Sequence, residues 1–235
     1  MNYLERFHKK LKRGWKGSLI SVAEAREIEP NAKKYLSQLA RTGQVEKVAW
    51  GWYWVPGGTS DFFDFLVRDK HFKVLQKQSA AALWNGDFIH RDRFVVAVRD
   101  NSYARALEWF ASSQKWNVKI EARDFEESQY RRIQSLPAEA LEETIVDCIK
   151  EWAFADAFAS LFQNYKIVDW GRISKHYWER IPRSSVRVGQ IMKYGTAIMR
   201  REGEDYGHGV GRVRISDDFV RRQVEEAAEQ VIELG

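Results

Sequence analysis

Apolar residues at the start of the chain recur at helical spacing. Tyr3, Leu4, Phe7 and Leu11 predict a first helix over roughly residues 2–12, interrupted by Gly14 and Gly17. Ser21 followed by Glu24 forms a capping box pattern, in which the hydroxyl accepts from the amide three residues on and the carboxylate reaches back. A second helix therefore starts there and stays short, because Pro30 cannot continue it. Asn31 is placed to cap a third helix over Ala32–Thr42, with Gly43 in the C-cap position. Leu36, Leu39 and Ala40 would face its core, leaving Lys33, Lys34, Ser37, Gln38 and Arg41 for the exposed surface. Val45–Ala49 and Trp52–Val55, β-branched and aromatic on either side of Trp50 and Gly51, predict a hairpin. Helix, short capped helix, basic helix and hairpin is the element order of a winged helix-turn-helix.

Pro56–Ser60 (Pro-Gly-Gly-Thr-Ser) reads as a boundary. Beyond it the pattern is mixed: a helix over Phe72–Leu83, a short buried strand over Arg93–Arg99, an amphipathic helix over Ser102–Ser112 and a strand over Trp116–Ala122. From Pro137 the chain reads as helical, over Ala138–Trp152, Ala153–Phe162, Trp170–Arg180 and Val186–Arg200. Pro137 suits a first helical turn, with Glu139 and Glu142 near the positive end of the dipole. A glycine-rich joint (Gly203, Gly207, Gly209, Gly211) leads to a last helix from about Asp217, striped by Val220, Val224, Ala227, Val231 and Ile232. The expected fold class is α+β: a winged helix-turn-helix over residues 1–58, a mixed α/β and helical C-terminal domain over 59–200, and a joint with a C-terminal helix over 201–235.

Composition supports this and narrows it. The 235 residues are 44% hydrophobic, ample for a core. No run of about 18 apolar residues suggests a membrane span, and residues 1–16 are charged where a signal peptide would be apolar. A lone Cys148 excludes an internal disulfide and reads as a small buried hydrophobe. A soluble, cytoplasmic protein with no membrane partner is expected. The net charge of +5 is unevenly spread: residues 1–56 hold eleven Lys and Arg against five Glu. The whole positive excess therefore falls in the segment read as a winged helix, the footprint of a module that neutralises phosphates.

The third helix is the strongest functional candidate. Lys33, Lys34 and Arg41 suit phosphates, while Ser37 and Gln38 suit base edges in a major groove. On the hairpin, Lys47 suits the backbone and Trp50 a sugar or the minor groove, whereas Trp52 and Trp54 are expected to pack beneath. The tract His8–Lys16 is open to phosphate contact or to plain solvation. Enzymatic signals are sparse. His71, His90 and His176 lack metal-ligand spacing, so neither metal nor cofactor is expected. Glu121 with Asp87 or Asp92 would make a nuclease-like carboxylate set, the basis of a runner-up reading in which the winged helix only positions DNA. A winged helix serving as a protein–protein interaction module is a further alternative. Gly207–Gly211 lacks the Gly-Lys-Ser/Thr ending of a phosphate loop and reads as a joint. Thr144 and Asp147 are expected to pair locally.

Two stretches carry a family resemblance. Ile20-Ser-Val-Ala-Glu-Ala25, and Lys33-Lys-Tyr-Leu-Ser-Gln-Leu-Ala-Arg-Thr-Gly43 continuing through Trp50-Gly-Trp-Tyr53 to Pro56, resemble the N-terminal domain of AbiEi-type antitoxins, which are winged-helix transcriptional regulators of type IV, abortive-infection toxin–antitoxin systems. Leu36, Leu39, Arg41, Gly43, Val45, Gly51 and Tyr53 fit the family pattern. Ser79–Leu83, Phe94–Val98 and Pro137–Asp147 resemble its C-terminal half in order, while Arg201–Gly235 does not map onto it. The resemblance implies a repressor that binds double-stranded DNA at its own operon and has a nucleotidyltransferase-like toxin as a possible partner; no enzymatic activity is expected. A repeated or palindromic operator would favour a homodimer, for which Val220–Ile232 is a candidate interface.

Overall fold

Helix α1 (Tyr3–Trp15) begins at a capping box: Asn2 Oδ1 accepts from the Glu5 amide at 2.8 Å and the Glu5 carboxylate accepts from the Asn2 amide at 3.0 Å. It runs three residues past the expected end, through Gly14. Strand β1 (Ser18–Ser21) follows, an element the sequence does not announce, because its four residues show no alternation. Helix α2 (Val22–Ile28) starts at the expected box, with Ser21 Oγ accepting from the Glu24 amide at 3.1 Å. Helix α3 (Ala32–Arg41) starts after Asn31, but the asparagine side chain makes no capping bond. With φ −86° and ψ 14°, its backbone is outside the extended region that aims a cap side chain at the first amides. Strands β2 (Glu46–Ala49) and β3 (Trp52–Val55) form the hairpin around Gly51, whose φ is +75°. The sheet is antiparallel in the order β1-β3-β2, with an irregularity between Lys47 and Ala49.

The structure, a computed structural model, describes residues 2–59, 61–86, 93–164 and 166–181. The predicted helix Val186–Arg200, the glycine joint and the stripe Val220–Ile232 lie outside these residues, as do Asp87, His90 and Asp92. Downstream of β3 come α4 (Phe62–Arg68), β4 (Lys73–Leu75), α5 (Lys77–Trp84), β5 (Phe94–Val98), α6 (Asn101–Ser113) and β6 (Val118–Ala122). A 3-10 turn (Glu127–Gln129), β7 (Tyr130–Ile133), β8 (Leu136–Glu139), α7 (Leu141–Lys150), α8 (Phe154–Asn164) and α9 (Trp170–Arg180) complete the described elements. The protein is thus α+β with two sheets. No helix among the described residues is long and apolar enough to cross a membrane.

The chain divides into two compact units. The first takes Met1–Val74 and Val96–Phe125, so Pro56–Ser60 lies inside it. Its organising element is β3, every residue of which is buried. Successive side chains of a strand point to opposite faces. Tyr53 and Val55 join a core with Phe7, Leu11, Leu36 and Leu39 from the helices. Trp52 and Trp54 enter the other side, where Trp54 meets Phe65 of α4 and Phe110 of α6 at ring-centroid distances of 5.9 and 4.6 Å. The expected packing of these two tryptophans beneath the hairpin is therefore observed.

The second unit takes Leu75–Val95 and the chain from Glu126. Leu75 of β4 pairs in parallel with Ala138 of β8, β8 pairs antiparallel with β7, and the Gln76 amide donates to Val95 O at 3.0 Å. Helix α7 is buried along Leu141–Ile149 and packs against α5, α8 and α9, its apolar contacts centred on Ile145, Cys148 and Ile149. Two sequence expectations are corrected here. Phe72–Leu83 is a strand then a helix, broken at Gln76 (extended) and Lys77 (φ +52°). Ala138–Trp152 is not one helix: Pro137 lies in β8, opposite Arg132, and α7 begins only at Leu141. The expected Thr144–Asp147 pairing is also absent, since the Thr144 hydroxyl donates to Glu139 O at 3.1 Å and Asp147 meets Arg180 at 3.0 Å.

Gly57 and Gly17 approach so closely that a Cβ on Gly57 would lie 2.3 Å from Gly17 N. A Cβ on Gly14, inside α1, would have Lys70 Nζ as its nearest neighbour, 3.9 Å away. Gly57→Ala is expected to destabilise the fold by about 2 kcal/mol or more through backbone displacement. Gly14→Ala is expected to stabilise it by about 0.5 kcal/mol through helix propensity. Urea midpoints of the two variants, moving in opposite directions, are the check.

Candidate functional site

Leu36 and Leu39 hold α3 in the core, and the rest of the helix follows from that anchoring. Lys33, Lys34 and Arg41 are exposed, and Ser37 and Gln38 are half-buried. At 100° per residue these five side chains occupy one arc opposite Leu36 and Leu39. No acidic residue interrupts the arc. The Ser37 hydroxyl donates to Lys33 O at 2.9 Å, so its proton is committed to the helix and it has only lone pairs left for a partner. On the hairpin, Lys47 is exposed and Trp50, at the turn, is 91% exposed; the Lys47 ammonium sits 5.8 Å from the Trp50 ring centroid. The seven side chains proposed from sequence thus lie on two consecutive elements, α3 and the hairpin. All present polar or aromatic surface to solvent.

A buried polar cluster is hidden in the sequence. Asp69, 6% exposed, accepts from the Leu19 amide at 2.9 Å, from Tyr103 Oη at 2.7 Å, from Lys73 Nζ at 2.9 Å and from the His71 amide at 3.1 Å. His71 Nδ1 lies 3.2 Å from the same carboxylate, and its Nε2 meets Glu24 Oε1 at 3.0 Å. The other Glu24 oxygen accepts from the Ser21 amide at 2.8 Å in the α2 capping box. Lys73 completes its donors on the carbonyls of Asp69 and His71. The His71 ring stacks on Tyr103 with centroids 4.2 Å apart, and Trp52 and Trp15 close around it.

The electrostatics follow from this geometry. Burial opposes charge on Asp69, but Lys73 and His71 outweigh it and hold the carboxyl well below the usual carboxylate range. Burial also opposes charge on His71, yet hydrogen bonds and the charges of Asp69 and Glu24 push its pKa up to about 9. For Lys73 burial wins over the attraction of Asp69 and lowers the ammonium pKa. Tyr103 is pushed well above its ordinary value by burial and by Asp69. With its lone pairs occupied, Asp69 has none to offer a substrate proton. The cluster ties chain segments together.

The second unit holds a further buried group. Glu143, 1% exposed, lies 3.3 Å from Arg172, 3.4 Å from His176 and 3.7 Å from Arg180. Burial raises its pKa despite the two arginines, and burial with the same arginines lowers that of His176. His71 and His176 therefore have opposite charge preferences, and only His71 has both ring nitrogens within hydrogen-bond distance of a partner, since His176 Nδ1 lies 3.6 Å from Glu179. Glu121, offered from sequence as a nuclease carboxylate, is paired with Lys119 at 2.9 Å on β6. Among the described residues no group of three or more His, Cys, Asp or Glu is arranged to hold a metal. The chain matches no protein-family model, and a search of curated proteins finds no match.

The pH dependence of the His71 knot follows from its pKa. Folding raises the ring above its unfolded value of about 6.5, so its stabilisation is complete below that pH and is lost as pH climbs through about 9. Chemical denaturation at pH 6 and pH 9.5 should show the wild type weakening at the higher pH. In His71→Gln that difference should shrink, with stability at pH 6 reduced by about 3 kcal/mol as Asp69 and Glu24 lose their shared cation.

Proposed function

We propose that the N-terminal part of the first unit is a winged helix-turn-helix that binds double-stranded DNA, and that the protein is a non-enzymatic transcriptional regulator of antitoxin type. The observation carrying this reading is the solvent arc of α3, in which Lys33, Lys34 and Arg41 surround Ser37 and Gln38 with no acid between them. The element order and the β1-β3-β2 sheet suit a winged helix. Helix α3 enters the major groove, its cations take phosphates, and Gln38 reads a base edge as donor and acceptor. Ser37 contributes as an acceptor, since its proton is held by Lys33 O. The hairpin sets Lys47 beside the backbone and the exposed Trp50 against a sugar edge. Repression is steric: the bound protein covers a promoter. The AbiEi-type resemblance adds autoregulation of the operon and neutralisation of a nucleotidyltransferase-like toxin as the proposed biological setting.

Affinity for a duplex isolated from a randomised pool should fall with log salt by about 0.9 per phosphate neutralised. Lys33→Ala, Lys34→Ala and Arg41→Ala should each make that slope shallower by about one. Gln38→Ala should instead lose about 1–3 kcal/mol of discrimination between preferred and mutated sites. Fluorescence anisotropy measures all four. Salt-independent binding, or a triple cation variant with unchanged affinity, overturns the reading and turns attention to a protein ligand.

A further inference from the structure

The outer face of α1 carries a charge pattern that folding does not explain. Arg6, Lys9, Lys10, Lys12, Arg13 and, one residue past the helix, Lys16 are all exposed. The arc they cover lies opposite Phe7 and Leu11, which are buried in the core. The one acid on the helix, Glu5, is occupied at its N-terminus by the backbone amide and side-chain amide of Asn2. Among the described residues none of the six cations forms an ion pair. Arg6 rests over the exposed Tyr3 ring at 5.9 Å, and Lys70, over Trp15 at 4.8 Å, adds a seventh cation at the far end.

A helix face that merely meets water alternates its signs, because like charges three or four residues apart repel. Here Arg6–Lys9, Arg6–Lys10, Lys9–Arg13 and Lys10–Arg13 are all such pairs. The helix dipole welcomes Lys12 and Arg13 in the last turn, but it gives no such support to Arg6, Lys9 and Lys10. The stripe therefore stores repulsion that a bound polyanion would relieve. From Arg6 to Lys16 it extends about 15 Å, roughly the axial rise of four base pairs of a duplex. It carries no Asn, Gln, Ser or Thr to read bases.

We propose that α1 is a second phosphate-binding face, which grips a nucleic-acid duplex backbone without regard to sequence. This rests on the DNA-binding reading for its ligand class but not on α3. Phe7 of α1 meets Tyr35 of α3 with ring centroids 5.6 Å apart, and each helix turns its cations away from that shared core. The protein thus engages backbone on two faces, bending one duplex around the module or joining two.

The test uses the full chain and two substitution sets, Lys9→Gln/Lys10→Gln/Arg13→Gln on α1 and Lys33→Gln/Lys34→Gln/Arg41→Gln on α3, titrated against a random-sequence duplex and a pool-selected one. The α1 set should make the salt slope shallower by about 2 to 3 and weaken both duplexes by the same factor. The charge-keeping set Lys9→Arg/Lys10→Arg/Arg13→Lys should restore the wild-type slope, and the Gln set should melt at or above the wild-type temperature. The α3 set should abolish preference for the selected duplex while leaving residual salt-dependent binding. An α1 set with an unchanged slope overturns the inference even if α3 behaves as proposed. Loss of binding in the α1 set alone, with the α3 set unaffected, supports α1 and overturns the α3 reading; two inert sets overturn both. If the Gln set does not fold, Lys10→Glu carries the same test, and an unchanged slope overturns the inference.

Discussion

A carboxylate removed from water must replace its hydration with donors, and Asp69 collects them from separate pieces of chain. The Leu19 amide belongs to β1, the Tyr103 hydroxyl to α6, and Lys73 and His71 to the segment around β4. Because His71 passes its charge on to Glu24, the start of α2 is bound into the same knot. Helix α2 is thereby positioned by an ion pair from His71, 47 positions further along the chain. Removing Asp69 would leave Lys73 and His71 as buried cations without their shared carboxylate, so the arrangement centres on that one side chain.

Strand β3 extends this constraint into the apolar interior. With Tyr53 and Val55 on one side and Trp52 and Trp54 on the other, it has no solvent face. The Trp52 indole also donates to Ser102 at 2.8 Å, fixing the strand to the start of α6, and α6 packs along β2. The hairpin is therefore supported over most of its length, while Trp50 at its turn and Glu46 and Lys47 on β2 stay exposed. A hairpin held this way would place the proposed contacts of its tip at small entropic cost.

The elements that could be read from sequence were those with a local signal. Ser21 and Glu24 marked α2, the leucine spacing marked α3, and Trp170–Arg180 was bounded as observed by its own periodicity. The missed elements draw on distant partners or on unusual backbone. Ser18–Ser21 is a strand only because β3 lies beside it. The β7–β8 hairpin turns at Gln134 and Ser135, whose φ values of +50° and +71° normally call for Asn-Gly, so no turn signal is visible and Pro137 reads as a helix start. The same division holds for function. The α3 cations could be named because exposure on an amphipathic helix is a local property. The Asp69–His71–Glu24 knot could not, since its members are 45 residues or more apart from Glu24 and meet only through the fold.

The two kinds of electrostatics in the first unit respond differently to salt, and this separates binding from folding. The cations of α1 and α3 are exposed, so their attraction to phosphate is screened beyond a Debye length of about 3 Å at 1 M salt. Asp69, Lys73 and His71 are packed among aromatic rings at hydrogen-bond distance, where mobile ions do not enter. If these cations bind phosphate as proposed, high salt should release the polyanion from intact protein, while high pH should loosen the fold through His71. The repulsion along α1 fits the same picture. It is tolerable because the core contacts of Phe7 and Leu11, with Trp15 against the His71 ring, hold the helix in place whether or not phosphates are there to relieve it.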